Sequence, residues 1–222
     1  MDLWRMNPWQ VFLAGGPVMW PILLCSILAL GIIIDRFWFL NSIKIDTKRF
    51  LEALFDDIKK NKIKAALDLC EANRQAPVAN VVKAGILKYD ASRDEIKEAM
   101  EDVSLYEVPK LERRLSMLAT IAHISPLLGL LGTVTGMVRC FQTIQIKSAS
   151  LNPVNPGDLA GGIWEALLTT VAGLMVAIPA FFAYNILVSN VNNFVLGMER
   201  AATELVNFLS QRSETAREEK EK

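Results

Sequence analysis

Three stretches of this chain contain no Lys, Arg, Asp or Glu: residues 6–34, 115–138 and 166–198, which are 29, 24 and 33 residues long. A helix rises 1.5 Å per residue, so roughly 20 apolar residues cross the ~30 Å hydrocarbon core of a bilayer. Each stretch is long enough to span it. The pattern argues against a single water-soluble globular domain. It predicts an all-α integral membrane protein with three transmembrane helices, two of them extending into a cytoplasmic helical domain.

Charge excludes other classes. Lys+Arg and Asp+Glu both number 24, so no net field directs the chain to nucleic acid, and no nucleic-acid partner is expected. Cys25, Cys70 and Cys140 form no CxxC pair, and His123 is the only histidine. The residues for a zinc site, an HExxH motif or a Ser-His-Asp triad are lacking, so no metal, no cofactor and no enzymatic activity are expected.

The spans are expected at 17–40, 115–146 and 159–195. Residues 1–16 would form a periplasmic interfacial segment carrying Trp4, Trp9 and Phe12, as in aromatic belts. The segment lacks the basic start and the Ala-x-Ala site of a cleaved signal peptide. Residues 147–158, rich in Pro, Asn and Gly, read as a short periplasmic turn. Residues 1–16 and 146–158 hold one Lys or Arg each, against fifteen in 41–114 and five in 190–222. The positive-inside rule therefore predicts a periplasmic N-terminus and a cytoplasmic C-terminus. Asp35 and Arg36 read as a snorkelling pair at the inner boundary.

Residues 41–114 show helical periodicity. Phe50, Leu51, Leu54, Phe55 and Ile58 recur at three- and four-residue spacing, and the pattern continues through Ile63, Ala66, Leu67 and Cys70. Gln75-Ala76-Pro77 interrupts it. Ser92 with Glu95 fits a capping box opening the next helix, whose periodicity runs on into the second span. Residues 196–222 are expected to prolong the third span as a helix and end in a frayed tail.

Several residues are too small or too polar for a plain anchor. In the second span Ser125, Gly129, Gly132 and Gly136 form a small-residue stripe that admits close helix packing, with Thr133 beside it, and Pro126 favours a kink. The third span holds Glu165, Thr169, Thr170, Gly173 and Pro179. A carboxylate inside a span costs several kcal/mol unless it faces protein, water or an ion path, which marks Glu165 as a functional candidate beside a hydrated structural role. Glu165 and Thr169 share one helical face; Thr170, Gly173 and Ala177 line the next. His123 has no identified partner and reads as a packing residue rather than a proton relay.

The strings PLLGLLGTVTGM (126–137), NPGDLAGGIWEAL (155–167) and TTVAGLMVAIPAFFAYN (169–185) resemble the signature helices of the ExbB/TolQ/MotA family of ion-channel motor subunits. GGPVMWPILLCSILALGIIIDR (15–36) is similar to the first span of the ExbB/TolQ branch. The resemblance implies a subunit in the bacterial inner membrane, a homopentamer surrounded by lipid. Such a pentamer encloses the single membrane helices of two copies of an ExbD/TolR-like partner, whose aspartate takes up and releases the ion. It also implies an energy-transducing role in proton-driven ion transport and protein transport, with a TonB- or TolA-like envelope protein as the driven component. Family roles fall on Thr133, Thr170 and Glu165, with Gly129, Gly132, Gly136, Gly173, Pro126 and Pro179 shaping pore and packing. The hydroxyl of Thr169, where many proton-using members carry a small apolar residue, leaves sodium open beside the proton. A passive scaffold holding a partner protein is the second class that three helices and a cytoplasmic bundle permit.

Overall fold

The computed structural model describes residues 8–150, 153 and 155–221. Trp4 and Arg5 lie outside them. Among the described residues eight helices follow one another: α1 (Pro8–Ala14), α2 (Met19–Ser42), α3 (Thr47–Lys59), α4 (Ile63–Ala72), α5 (Pro77–Leu87), α6 (Arg93–Glu112), α7 (Leu115–Ala149) and α8 (Pro156–Glu221). No strand occurs among the described residues. Among the described residues three helices are long and apolar enough to cross a membrane, by length and composition; α7 and α8 contain the charge-free stretches 115–138 and 166–198, and α2 contains residues 19–34 of the first. The protein is an all-α membrane protein.

The chain divides into two compact units. One gathers the residues up to Arg36 with Arg114–Ile186; the other gathers Phe37–Arg113 with the residues from Leu187 onward. In the second unit α3 packs on α4, α4 on α5 and α5 on α6. Leu54 and Ile58 of α3, Val81, Val82 and Ile86 of α5, Met100 of α6 and Leu205 of α8 are wholly enclosed. The apolar stripes at three- and four-residue spacing meet one another there, as amphipathic helices do in water. Phe55 stacks on Phe208 with ring centroids 4.8 Å apart. The buried carboxylate of Glu107 accepts from Asn80 Nδ2 at 3.2 Å and pairs with Lys110 Nζ at 2.8 Å. Burial pushes the Cys70 thiol up to about 12, so it packs as a small apolar group rather than a nucleophile.

Local chemistry sets the helix ends. Asp46 caps α3, accepting from Arg49 N at 3.3 Å. The capping box forms at α6: Glu95 N donates to Ser92 Oγ at 3.3 Å, and Ser92 N donates to Glu95 Oε2 at 3.1 Å. Pro77 opens α5 at a position where its missing N–H costs nothing.

Four expectations are corrected. The periodicity from Phe50 to Cys70 is broken at Asn61, which adopts φ +61° between α3 and α4; asparagine is among the residues that tolerate this region. The periodicity of α6 does not run unbroken into the second span, because Arg114 takes φ +66° and separates α6 from α7. Arg36 does not snorkel into solvent. Its side chain is 6% exposed and its Nε lies 2.9 Å from Asp35 Oδ2, which also pairs with Arg114 Nη1 at 2.9 Å. Finally, α8 continues to Glu221 where a frayed tail is expected, through a segment of Glu, Lys, Arg and Ala, which are good helix formers.

Candidate functional site

The α7–α8 hairpin is built by residues without bulk. A Cβ on Gly129 would lie 3.0 Å from the Thr169 carbonyl oxygen and 3.1 Å from Thr170 Cα. One on Gly132 would collide with the Thr169 side chain, and one on Gly136 would lie 2.7 Å from the Gly162 carbonyl oxygen. From the other side, a Cβ on Gly173 would come within 2.6 Å of the Ser125 carbonyl oxygen, and one on Gly162 would collide with Cys140 Sγ. Backbone thus meets backbone along a seam of about four turns, with Ala166, Ala177 and Ala180 also buried. Larger side chains point outward: Leu127, Leu130, Leu131 and Val134 on α7, and Met175, Ile178 and Phe182 on α8, are exposed. Pro126 and Pro179 lie inside helices that stay continuous through them.

The three threonines do not share one environment. Thr169 is fully buried in the seam, where Oγ1 donates to the Ala166 carbonyl at 2.8 Å with the Gly129 carbonyl at 3.5 Å. Thr170, one residue and about 100° further round the helix, is half-buried; its hydroxyl reaches the carbonyls of Gly129 at 3.3 Å and Ala166 at 3.4 Å. Thr133 is half-buried as well and donates to the Leu130 carbonyl at 2.6 Å. A hydroxyl whose proton is committed to a backbone carbonyl presents its lone pairs outward. Thr133 and Thr170, and with them Thr135, whose hydroxyl donates to the Gly132 carbonyl at 3.0 Å, are therefore acceptor oxygens on a largely apolar stretch of the hairpin, suited to holding a water or a cation.

Glu165 lies toward the linker end of the hairpin, about two and a half turns of α8 from its start. Its Oε1 pairs with Arg139 Nη1 of α7 at 2.5 Å, and its side chain is only 14% exposed. Sequence reasoning missed Arg139. The signal was available, since Arg139 ends the second charge-free stretch and lies about as far before the linker as Glu165 lies after it, so a hairpin brings the two to one level. His123 is exposed; its Nδ1 is 2.6 Å from the Ala119 carbonyl and its ring meets Phe181 edge-on. No cluster of three metal-ligating side chains occurs among the described residues.

Residues 73–200, which hold every one of these hairpin groups, match the model of the MotA/TolQ/ExbB proton channel family. The chain belongs to that family. Similar proteins place it near the ExbB/TolQ side of the MotA/TolQ/ExbB group. A biopolymer transport protein named ExbB-like 1 from Synechocystis is 36% identical over 178 residues, covering 80% of this chain and 69% of the relative. The Tol-Pal system protein TolQ of Haemophilus influenzae is 34% identical, covering 75% of this chain and 76% of the relative. Biopolymer transport protein exbB1 of Vibrio cholerae is 31% identical, covering 74% and 72%. Membership and the three long apolar helices make this MotA/TolQ/ExbB protein a multi-pass inner-membrane subunit of the proton-channel, energy-transducing class.

Proposed function

We propose that this chain is the pore-forming subunit of a proton-driven motor, working as a homopentamer around the single membrane helices of two ExbD/TolR-like partner chains. The carrying observation is the pair of acceptor hydroxyls, Thr133 and Thr170, on a largely apolar stretch of the hairpin sealed by glycines. An ion shed of bulk water needs oxygen ligands or a surface that retains water, and these side chains supply both. The partner's membrane carboxylate would take up a proton facing this wall. Neutralising it removes the cost of a charge in a low-dielectric setting, so its preferred orientation changes with its protonation. The membrane potential contributes ~2.3 kcal/mol per charge per 100 mV, enough to bias each step. The motion would be passed to a TonB- or TolA-like envelope protein.

Burial of Thr169 favours the proton over sodium. Sodium needs several oxygens at once, and the one extra hydroxyl that would help supply them is enclosed between α7 and α8. Thr169 is therefore assigned to packing, with Gly129, Gly132, Gly136 and Gly173. The N-terminus is assigned to the periplasm, which cysteine labelling of intact cells tests: an impermeant reagent should modify Ser150→Cys and spare Lys88→Cys.

The assembly is tested by co-expressing the chain with its single-span partner and weighing the complex by native mass spectrometry. Five copies with two partner chains, and proton uptake by vesicles containing that complex, are expected. A complex that binds the partner but passes no protons would make the chain a passive scaffold.

A further inference from the structure

Glu165 is held from three directions. Arg139 reaches it from α7 at 2.5 Å, its own helix α8 carries it, and the α1–α2 turn closes over it. At that turn Gly16 adopts φ +71°, a left-handed conformation that L side chains rarely enter. The place a Gly16 Cβ would take is already filled by Glu165 Oε1, and Arg139 Nη1 lies 3.3 Å from it. Glycine is thus required twice at this position, by conformation and by space. The result is asymmetric: the Glu165 carboxylate is 14% exposed while the Arg139 side chain remains 48% exposed.

From this convergence we propose that Arg139 is the positioning residue for Glu165, clamping its carboxylate beneath the Gly15–Gly16 turn so that the linker end of the hairpin keeps its ion-conducting shape. The inference rests on the ion-path reading above. A carboxylate screened from water by a turn needs a cationic partner, and a lost partner leaves an uncompensated charge that must move toward solvent. Moving it would displace the turn as well as the side chain. A charge-assisted contact of one nitrogen with one oxygen can be made by an ammonium as well as by a guanidinium, whereas exchanging the two charges relocates the carboxylate onto the other helix.

The test uses the complete complex with its partner in vesicles, comparing proton flux per assembled complex with thermal stability. Arg139→Gln is expected to lower flux at least tenfold, and Arg139→Lys to stay within about threefold of wild type. The charge exchange, Arg139→Glu with Glu165→Arg, is expected to restore the stability lost in Arg139→Gln while flux stays at least tenfold down. A plain staple between α7 and α8 would give the opposite for the exchange, with flux restored along with stability, and that result overturns the proposal. Wild-type flux in Arg139→Gln overturns it too. A wild-type complex that conducts nothing refutes the motor reading itself, and is told apart because every other outcome starts from a conducting wild type.

Discussion

The two units of this protein are built on opposite plans. Around α3–α6 the bulky apolar residues, Leu54, Ile58, Val82, Met100 and Leu205, are inside and the charged ones outside, apart from Glu107, which is buried against Asn80 and Lys110. Along the α7–α8 seam the small residues meet, and Leu127, Leu130, Leu131, Met175 and Phe182 face outward. Each plan suits its solvent. Water rewards burying large apolar surface at roughly 25 cal/mol per Å², whereas lipid offers no such gain, so membrane helices associate through close backbone contact. The lesson is functional as well. On the proposed ion-path reading, a seam built mostly of glycine and alanine, with Ser125, Cys140 and the enclosed Thr169, leaves the half-buried hydroxyls of Thr133 and Thr170 for the ion.

The largest expected effect breaks the plan of α7–α8. Gly132→Leu forces a side chain into the space of Thr169 and should abolish assembly of the complex, as read by native mass spectrometry; wild-type complexes would mean that the seam is not where the helices meet. The matching insult to the plan of α3–α6 is Leu54→Ala, which opens a cavity in a fully enclosed position and should cost about 2–5 kcal/mol in chemical unfolding, without blocking partner binding in the complex that remains. Ser92→Ala removes one half of the capping box and should cost about 1 kcal/mol. Smallest is a pH effect confined to the water-facing unit. The Lys83 ammonium beside Glu71 holds its carboxyl below the usual 4.5, so this contribution is present above that value and fades as pH falls through the lowered one. Asp56 beside Lys60 acts in mirror image: it raises the ammonium above 10.5, and its contribution fades only as pH rises through that raised value. Glu71→Gln should flatten the acid limb of a melting-temperature profile and leave its neutral region almost unchanged, because both pairs are exposed.

What could be read from residues alone follows the same division. The spans were legible because charge is forbidden in hydrocarbon over a length that geometry dictates, and the capping box because its two bonds are local. The breaks at Asn61 and Arg114 were not, since one left-handed residue leaves the apolar periodicity on either side intact. Nor could the sequence tell Thr169 from Thr170: neighbouring residues differ by about 100° round a helix, and only the partner helix decides which one is enclosed. Arg139 was missed for a related reason, as its carboxylate partner lies on the other helix of the folded hairpin rather than at a spacing along its own, and the burial of Arg36 beside its neighbour Asp35 likewise depends on what packs around it.

The central claim is that protons pass along the α7–α8 wall by way of the Thr170 hydroxyl. It is tested by proton flux through the reconstituted complex in sodium-free buffer under an imposed pH gradient, with Thr170→Ala, Thr170→Ser and Thr169→Ala beside wild type. The account predicts full wild-type flux without sodium, at least tenfold loss in Thr170→Ala, recovery in Thr170→Ser, and in Thr169→Ala a loss of stability larger than any loss of flux. Flux that appears only when sodium is added, or a Thr170→Ala complex that conducts like wild type, would contradict it.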